Sequence, residues 1–185
     1  STPENVYILN STPDIDQWNY TTGFALKRLI NNGYVNMSLS RNVFNNQVNR
    51  FESRIEEENN RILEINSQEE ENKVRVDVNK FNGGWKIAYG GMAQYVQYYS
   101  DYYNRLVKEQ TDEQGNITVP GQEIIFNTNL DFVKYGFYGQ AANNFFNNRL
   151  LVSAGLRTDM NTFMDDGNNP LNALSPRISF SYSIN

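Results

Sequence analysis

Leu150-Leu151-Val152-Ser153-Ala154-Gly155-Leu156-Arg157 is the stretch that decides the fold. Leu150, Val152, Ala154 and Leu156 occupy alternate positions, with Leu151, Ser153, Gly155 and Arg157 between them. Successive side chains leave a strand on opposite faces, so this period of two predicts a β-strand with one apolar face and one mostly small or polar face. The C-terminal stretch repeats the split, Ile178, Phe180, Tyr182 and Ile184 alternating with Arg177, Ser179, Ser181 and Ser183.

The same rhythm extends outward, with more noise. Trp85, Ile87, Tyr89, Gly91, Ala93 and Tyr95 alternate with Lys86, Ala88, Gly90, Met92 and Gln94, and Val133, Tyr135, Phe137 and Ala141 with Lys134, Gly136, Tyr138 and Gln140. Val35, Met37 and Leu39 form one further strand, and Val74, Val76 and Val78 another, the β-branched residues suiting a pleated surface. Trp18 to Ile30, rich in Thr and aromatics, completes an expected set of seven strands.

The connections alternate in length. Asn31-Asn32-Gly33, Asn82-Gly83-Gly84 and Asn143 to Asn148 are short and rich in residues that tolerate positive φ. Roughly Asn42 to Asn72, Asp101 to Gln122 and Thr158 to Leu174 are long. Within the first of these, Phe51, Ile55, Ile62 and Ile65 roughly fit one helical face, whereas Arg61–Asn66 and Lys73–Asn79 pair as well as strands; the hairpin is the preferred expectation. Tight turns at one end and long loops at the other predict an all-β, antiparallel up-and-down meander that forms part of a transmembrane β-barrel wall.

Composition supports this reading. The chain has 185 residues, one domain's worth, with only 39% hydrophobic residues beside 14% aromatics. A wall with one lipid face and one wet face needs that mixture, because a sheet in lipid satisfies its backbone only by closing and its inner face looks into a polar lumen. Trp18, Tyr20, Tyr89, Tyr95, Tyr98, Tyr99, Tyr102 and Tyr103 suit the interfacial aromatic girdles of such a wall. No run of apolar residues is long enough for a membrane-spanning helix, and no signal peptide opens the sequence.

The absence of His and Cys removes thiol nucleophiles, imidazole bases, Cys/His zinc sites and Ser-His-Asp triads, and the sequence is read as that of a non-enzyme without cofactor or metal. The net charge of −5 is concentrated in Glu56, Glu57, Glu58, Glu64, Glu69, Glu70 and Glu71, with Arg61 the one base among them. The expected role of this segment is a solvated loop. The remainder, nearly neutral and without a basic stripe, gives no support to nucleic-acid binding. Asp165-Asp166 and Asp112-Glu113 sit beside turn residues and read as polar loops rather than glycoside-cleaving pairs, and Asp165-Asp166-Gly167-Asn168 lacks the distal Glu of a calcium loop.

Asn148-Arg149-Leu150-Leu151-Val152-Ser153-Ala154-Gly155-Leu156-Arg157-Thr158-Asp159, followed after a loop by Leu174-Ser175-Pro176-Arg177-Ile178-Ser179-Phe180-Ser181-Tyr182, resembles the barrel of TonB-dependent outer-membrane receptors. Trp85 to Tyr98 is similar to another strand of that family. The resemblance implies a Gram-negative outer-membrane transporter that takes up a nutrient such as a siderophore or glycan through a barrel of about 22 strands filled by a plug domain. Its implied partners are outer-membrane lipid, the plug and a TonB-type energising complex. No plug is recognisable in residues 1–185, and seven strands do not close such a barrel, so the expectation is a partial barrel segment whose two sheet edges invite self-association. On this reading Lys86, Lys134, Arg157 and Arg177 face the lumen. Two other readings stay open: a small complete outer-membrane barrel with a structural or adhesive role, which needs an eighth strand, and a soluble carbohydrate-binding β-sandwich.

Overall fold

The computed structural model describes residues 11–184 together with 2, 5, 7 and 8. Its strands are β1 (Asp14–Ile30), β2 (Gly33–Phe51), β3 (Arg61–Asn82), β4 (Trp85–Val107), β5 (Gln110–Thr111), β6 (Ile117–Val119), β7 (Gln122–Phe145), β8 (Leu150–Asn161) and β9 (Leu174–Tyr182). Seven of them form one sheet in the order β1-β2-β3-β4-β7-β8-β9, and β5 pairs with β6 in a separate two-stranded sheet. Each strand of the large sheet therefore neighbours the one before it, the meander the alternating connections predict. β1 and β9 are its edges, so the sheet is not closed, and the eighth strand of a small complete barrel is not found among the described residues.

The strands are longer than their alternation suggests. β3, β4 and β7 have 22, 23 and 24 residues, at least twice the roughly 9–11 that cross a bilayer. The first long connection shrinks accordingly to residues 52–60, the second to 108–121 with the β5–β6 hairpin inside it, and the third to 162–173. Neither Gly nor Pro interrupts 42–51, 61–81, 101–107 or 122–132, so nothing in those segments stops a ladder once it has started. For the same reason the expected hairpin between 61–66 and 73–79 is wrong: both lie in the single strand β3, with neither Gly nor Pro between them.

The Glu-rich segment also departs from expectation. Glu56, Glu57 and Glu58 are exposed in the connection, but Glu64, Glu69, Glu70 and Glu71 are half-buried within β3 rather than in a solvated loop. Donors close by make this tolerable. Arg61 Nη1 donates to Glu64 at 2.5 Å and Gln68 Nε2 to Glu70 at 2.8 Å.

The strands divide between two compact units. One, here the turn unit, comprises Thr21–Asn42, Glu71–Val96 and Asp131–Asn185. Its turns carry the positive φ that two-residue hairpin loops need: Asn32 at 54°, and Gly83 and Gly84 at 54° and 85°. β7 runs on to Phe145, so the third turn is 146–149 rather than 143–148, and Phe146, Asn147 and Asn148 are all left-handed. Register fixes the faces. Ala141 opposes Ala154, which opposes Ile178; Gly139 opposes Leu156, which opposes Pro176; and Val152 opposes Phe180. These residues share one face, and it is uncovered: Phe137 is 58% exposed, Ile178 68% and Phe180 70%. A soluble sandwich would lay a second sheet on this face. The one other sheet has strands of two and three residues, too small for that task.

The other unit, the loop unit, comprises Ser1–Tyr20, Val43–Glu70 and Gln97–Leu130. Ion pairs tie its connections to the strands. Lys108 Nζ lies 2.6 Å from Glu52 and Arg105 3.6 Å from it, Arg105 also donates to the Asn59 carbonyl at 2.6 Å, and Arg54 reaches Asp14 at 2.6 Å. Trp18 and Tyr20 stack, rings parallel within 1° at 6.1 Å. In the β5–β6 hairpin the Asp112 carboxylate accepts the Asn116 side-chain amide at 3.0 Å and the backbone N–H groups of Asn116 and Gln114 at 2.8 and 3.0 Å, which hold its pKa below the ordinary aspartate range. Asp112 is thus a turn former rather than half of a catalytic pair.

The Lys108 hydrogen bond lowers the pKa of Glu52 beneath its ordinary value of 4.5, more than burial raises it. A depressed carboxylate supports the folded state above its unfolded value and loses that support as pH falls through the depressed one. The 52–60 connection is therefore expected to keep its order at pH 6 and to loosen below about pH 4. Amide hydrogen exchange of residues 52–60 at the two pH values checks this, and Glu52→Gln should show the loosened pattern at both.

Candidate functional site

The polar face of the turn unit carries the groups with chemical potential. Tyr138 opposes Arg157, which opposes Ser175; Gln140 opposes Gly155, which opposes Arg177; Lys134 opposes Asn161. Paired residues and their i±2 neighbours share a face, so Lys134, Arg157 and Arg177 stand together on the side away from Ile178 and Phe180. Lys86 shares a face of β4 with Gly90, where a Cβ would stand 3.1 Å from Asp77 Oδ1, the carboxylate that Tyr138 reaches on the polar face. The four cations singled out in the sequence thus lie on one face. Arg157 and Arg177 line the groove itself, whereas Lys134 lines a neighbouring pocket with Phe132 and Phe163 and lies 5.3 Å from the Phe132 ring.

The groove is open, about 870 Å³, and Arg75, Tyr138 and Gln140 contribute to it as well. Its order comes from a motif used twice. Arg75 grips Asp77 in bidentate fashion at 2.7 and 3.0 Å, and Arg157 grips Asp159 at 2.7 and 3.0 Å. An i,i+2 spacing on a strand puts both members on one face, the condition for a fork to meet a carboxylate. Each pair lies against a glycine of the neighbouring strand. A Cβ on Gly136 would stand 2.6 Å from Asp159 Oδ1, and one on Gly90 3.1 Å from Asp77 Oδ1 and 2.3 Å from the Val76 carbonyl.

Tyr138 links the two halves. Its hydroxyl donates to Asp77 at 2.7 Å, although β7 and β3 are separated by β4 in the sheet, so the phenol reaches across a whole strand where Gly90 leaves room. Further along, Gln94 Nε2 donates to Glu71 at 2.6 Å and Gln140 Nε2 to Ser153 at 2.7 Å. Tyr138, Asp77, Asp159 and the two glycines are not among the sequence-derived candidates. The visible signal for them is the repeated Arg-x-Asp at 75–77 and 157–159.

The opposite face is apolar around Phe137, Ile178 and Phe180, but it changes character along β4 and β7. Tyr95 donates to Asp131 at 3.4 Å, Tyr99 to Asp101, and Tyr103 to Glu123 at 2.7 Å. Alternation along β4 puts Tyr98 and Tyr102 on the other side from Tyr95, Tyr99 and Tyr103, so the eight aromatics expected in outward girdles do not all belong there. Asp165 and Asp166 lie in the connection between β8 and β9; among the described residues no cluster of three acidic side chains with the spacing of a metal site forms.

Comparison with known proteins adds one match. The family model described as TonB dependent receptor-like, beta-barrel covers residues 1–185. No curated protein and no solved structure matches the chain.

Proposed function

The chain belongs to the TonB-dependent receptor-like β-barrel family, a family of outer-membrane receptors and transporters, and from that premise we propose that it forms a section of the wall of such a transporter, taking up a small-molecule nutrient such as a siderophore or glycan. The observation that carries this reading is the two-faced sheet of the turn unit, with Phe137, Ile178 and Phe180 uncovered on one face and the Arg75–Asp77 and Arg157–Asp159 pairs on the other. A bare apolar face of this kind is unfavourable in water and suited to lipid, while paired ions suit a wet lumen.

On this reading Lys86, Lys134, Arg157 and Arg177 face the lumen, and a plug domain lies against their side. β1 and β9 pair with further strands of the same barrel, since an unpaired edge in lipid leaves each backbone group unsatisfied. Strand ends beyond the bilayer, together with the connection 52–60 and the β5–β6 hairpin, form the outer surface where a nutrient first meets the receptor. The TonB-type complex acts from the tight-turn side, and nothing here calls for catalysis.

Fractionation tests it. Antibody against residues 1–185 should detect, in cells that make the native protein, an outer-membrane band whose gel mobility changes on boiling. A soluble band of unchanged mobility would overturn the proposal.

A further inference from the structure

The hollow over Gly155 is the place on the polar face where unspent hydrogen-bond donors converge. Gly155 offers no side chain, and its row consists of Gln140 on one side and Arg177 on the other. The row on one flank is Tyr138, Arg157 and Ser175, and on the other Ala142, Ser153 and Ser179. Adding a Cβ at Gly155 would bring it to 3.0 Å from the Gly139 carbonyl and 3.2 Å from Gln140 Cβ, so the floor is tight and its emptiness is built in.

The hydrogen-bond inventory gives the hollow its sign. Arg157 uses Nε and Nη2 on Asp159, which leaves Nη1 free to donate. Ser153 accepts from Gln140 and keeps its own O–H for another partner. Arg177, Ser175 and Ser179 make no side-chain hydrogen bond or ion pair among the described residues, so a whole guanidinium and two hydroxyls remain. The carboxylates nearest to it, Asp77 and Asp159, are each held by an arginine.

We propose that the Gly155 hollow is an oxyanion site, taking a carboxylate or phosphate group on the fork of Arg177, with Arg157 Nη1 and the hydroxyls of Ser153 and Ser179 completing its shell. Forked guanidinium recognition of planar oxyanions supplies the specificity, and hydroxyls fill the remaining acceptor positions. The site is built from this chain alone and does not depend on the chain being part of a transporter. The anion has two possible sources, a free polyanionic solute or an acidic protein segment, and the same chemistry serves both.

Calorimetric titration of the native protein in zwitterionic detergent micelles at low salt tests the site with citrate as the free solute and a glutamate-rich hexapeptide as the segment. At least one of them should bind, and Arg177→Gln should weaken that binding about tenfold or more, the usual scale for losing a charged hydrogen-bond partner. Arg177→Lys, which keeps the charge but not the fork, should fall between. Lys80→Gln, which removes a cation from the opposite face of β3, should leave binding unchanged. Citrate binding points to a solute and peptide-only binding to a segment. Absence of binding by both, or equal weakening by Arg177→Gln and Lys80→Gln, would overturn the site without touching the fractionation result.

Discussion

Ile178→Arg should destabilise the sheet in a bilayer by about 2–4 kcal/mol, the cost of an arginine at the midplane of a lipid-facing barrel surface. Ser179→Arg, one residue further along the same strand, should cost little. Ile178 opposes Ala154 in the middle of the apolar run of β8 and is 68% exposed, so in lipid its side chain lies against acyl chains. Ser179 opposes Ser153 on the polar face, where water and other polar groups receive a guanidinium. Denaturant unfolding of both variants in lipid vesicles reads the contrast. Equal effects of the two substitutions would mean that the faces are not sorted between lipid and water.

Gly90→Val is expected to cost about 1–3 kcal/mol or more, as overpacking does where backbone is the obstacle. The added Cβ would lie 2.3 Å from the Val76 carbonyl and 3.1 Å from the Asp77 carboxylate, so β3 and β4 must part and the Tyr138–Asp77 bond across them is lost with the same movement. Tyr138→Phe separates the two contributions: it removes only the hydroxyl and should cost about 1 kcal/mol, since Asp77 keeps Arg75. Gly139→Ala is the control. Nothing lies within 4 Å of a Cβ there, so that substitution should be nearly neutral in the same unfolding experiment.

Much of this architecture was legible from period two alone. Leu150 to Leu156 and Ile178 to Tyr182 name their faces correctly, and Asn31-Asn32, Gly83-Gly84 and the Asn-rich turn before Leu150 mark the reversals because few other residues accept positive φ. The far ends of the strands were not legible. From Val96 to Val107 and from Gln122 to Phe132 the side chains no longer separate into apolar and polar sets, yet the backbone ladder continues. Glu69, Glu70 and Glu71 mislead for a related reason: a charge run reads as solvated loop unless the donors that pair with it, such as Gln68 and Gln94, are known to be adjacent.

At the candidate site the cations were visible and their partners were not. Arg157 announces itself by charge, but its pairing with Asp159 and its place opposite Tyr138 depend on strand register. Gly155 looks like an ordinary small residue of a strand until the row Gln140–Gly155–Arg177 is known. The reach of Tyr138 across β4 to Asp77 joins residues 61 positions apart and has no local signature at all.

The most direct test is a cysteine scan of residues 150–157 in lipid vesicles, simplified because the chain has no cysteine of its own. Single cysteines at 150, 152, 154 and 156 should react slowly with a membrane-impermeant aqueous maleimide, because a thiol against acyl chains is neither reached nor ionised, and those at 151, 153 and 157 should react quickly. A sheet that is not a membrane wall would instead label with the aqueous reagent at every position, or without alternation.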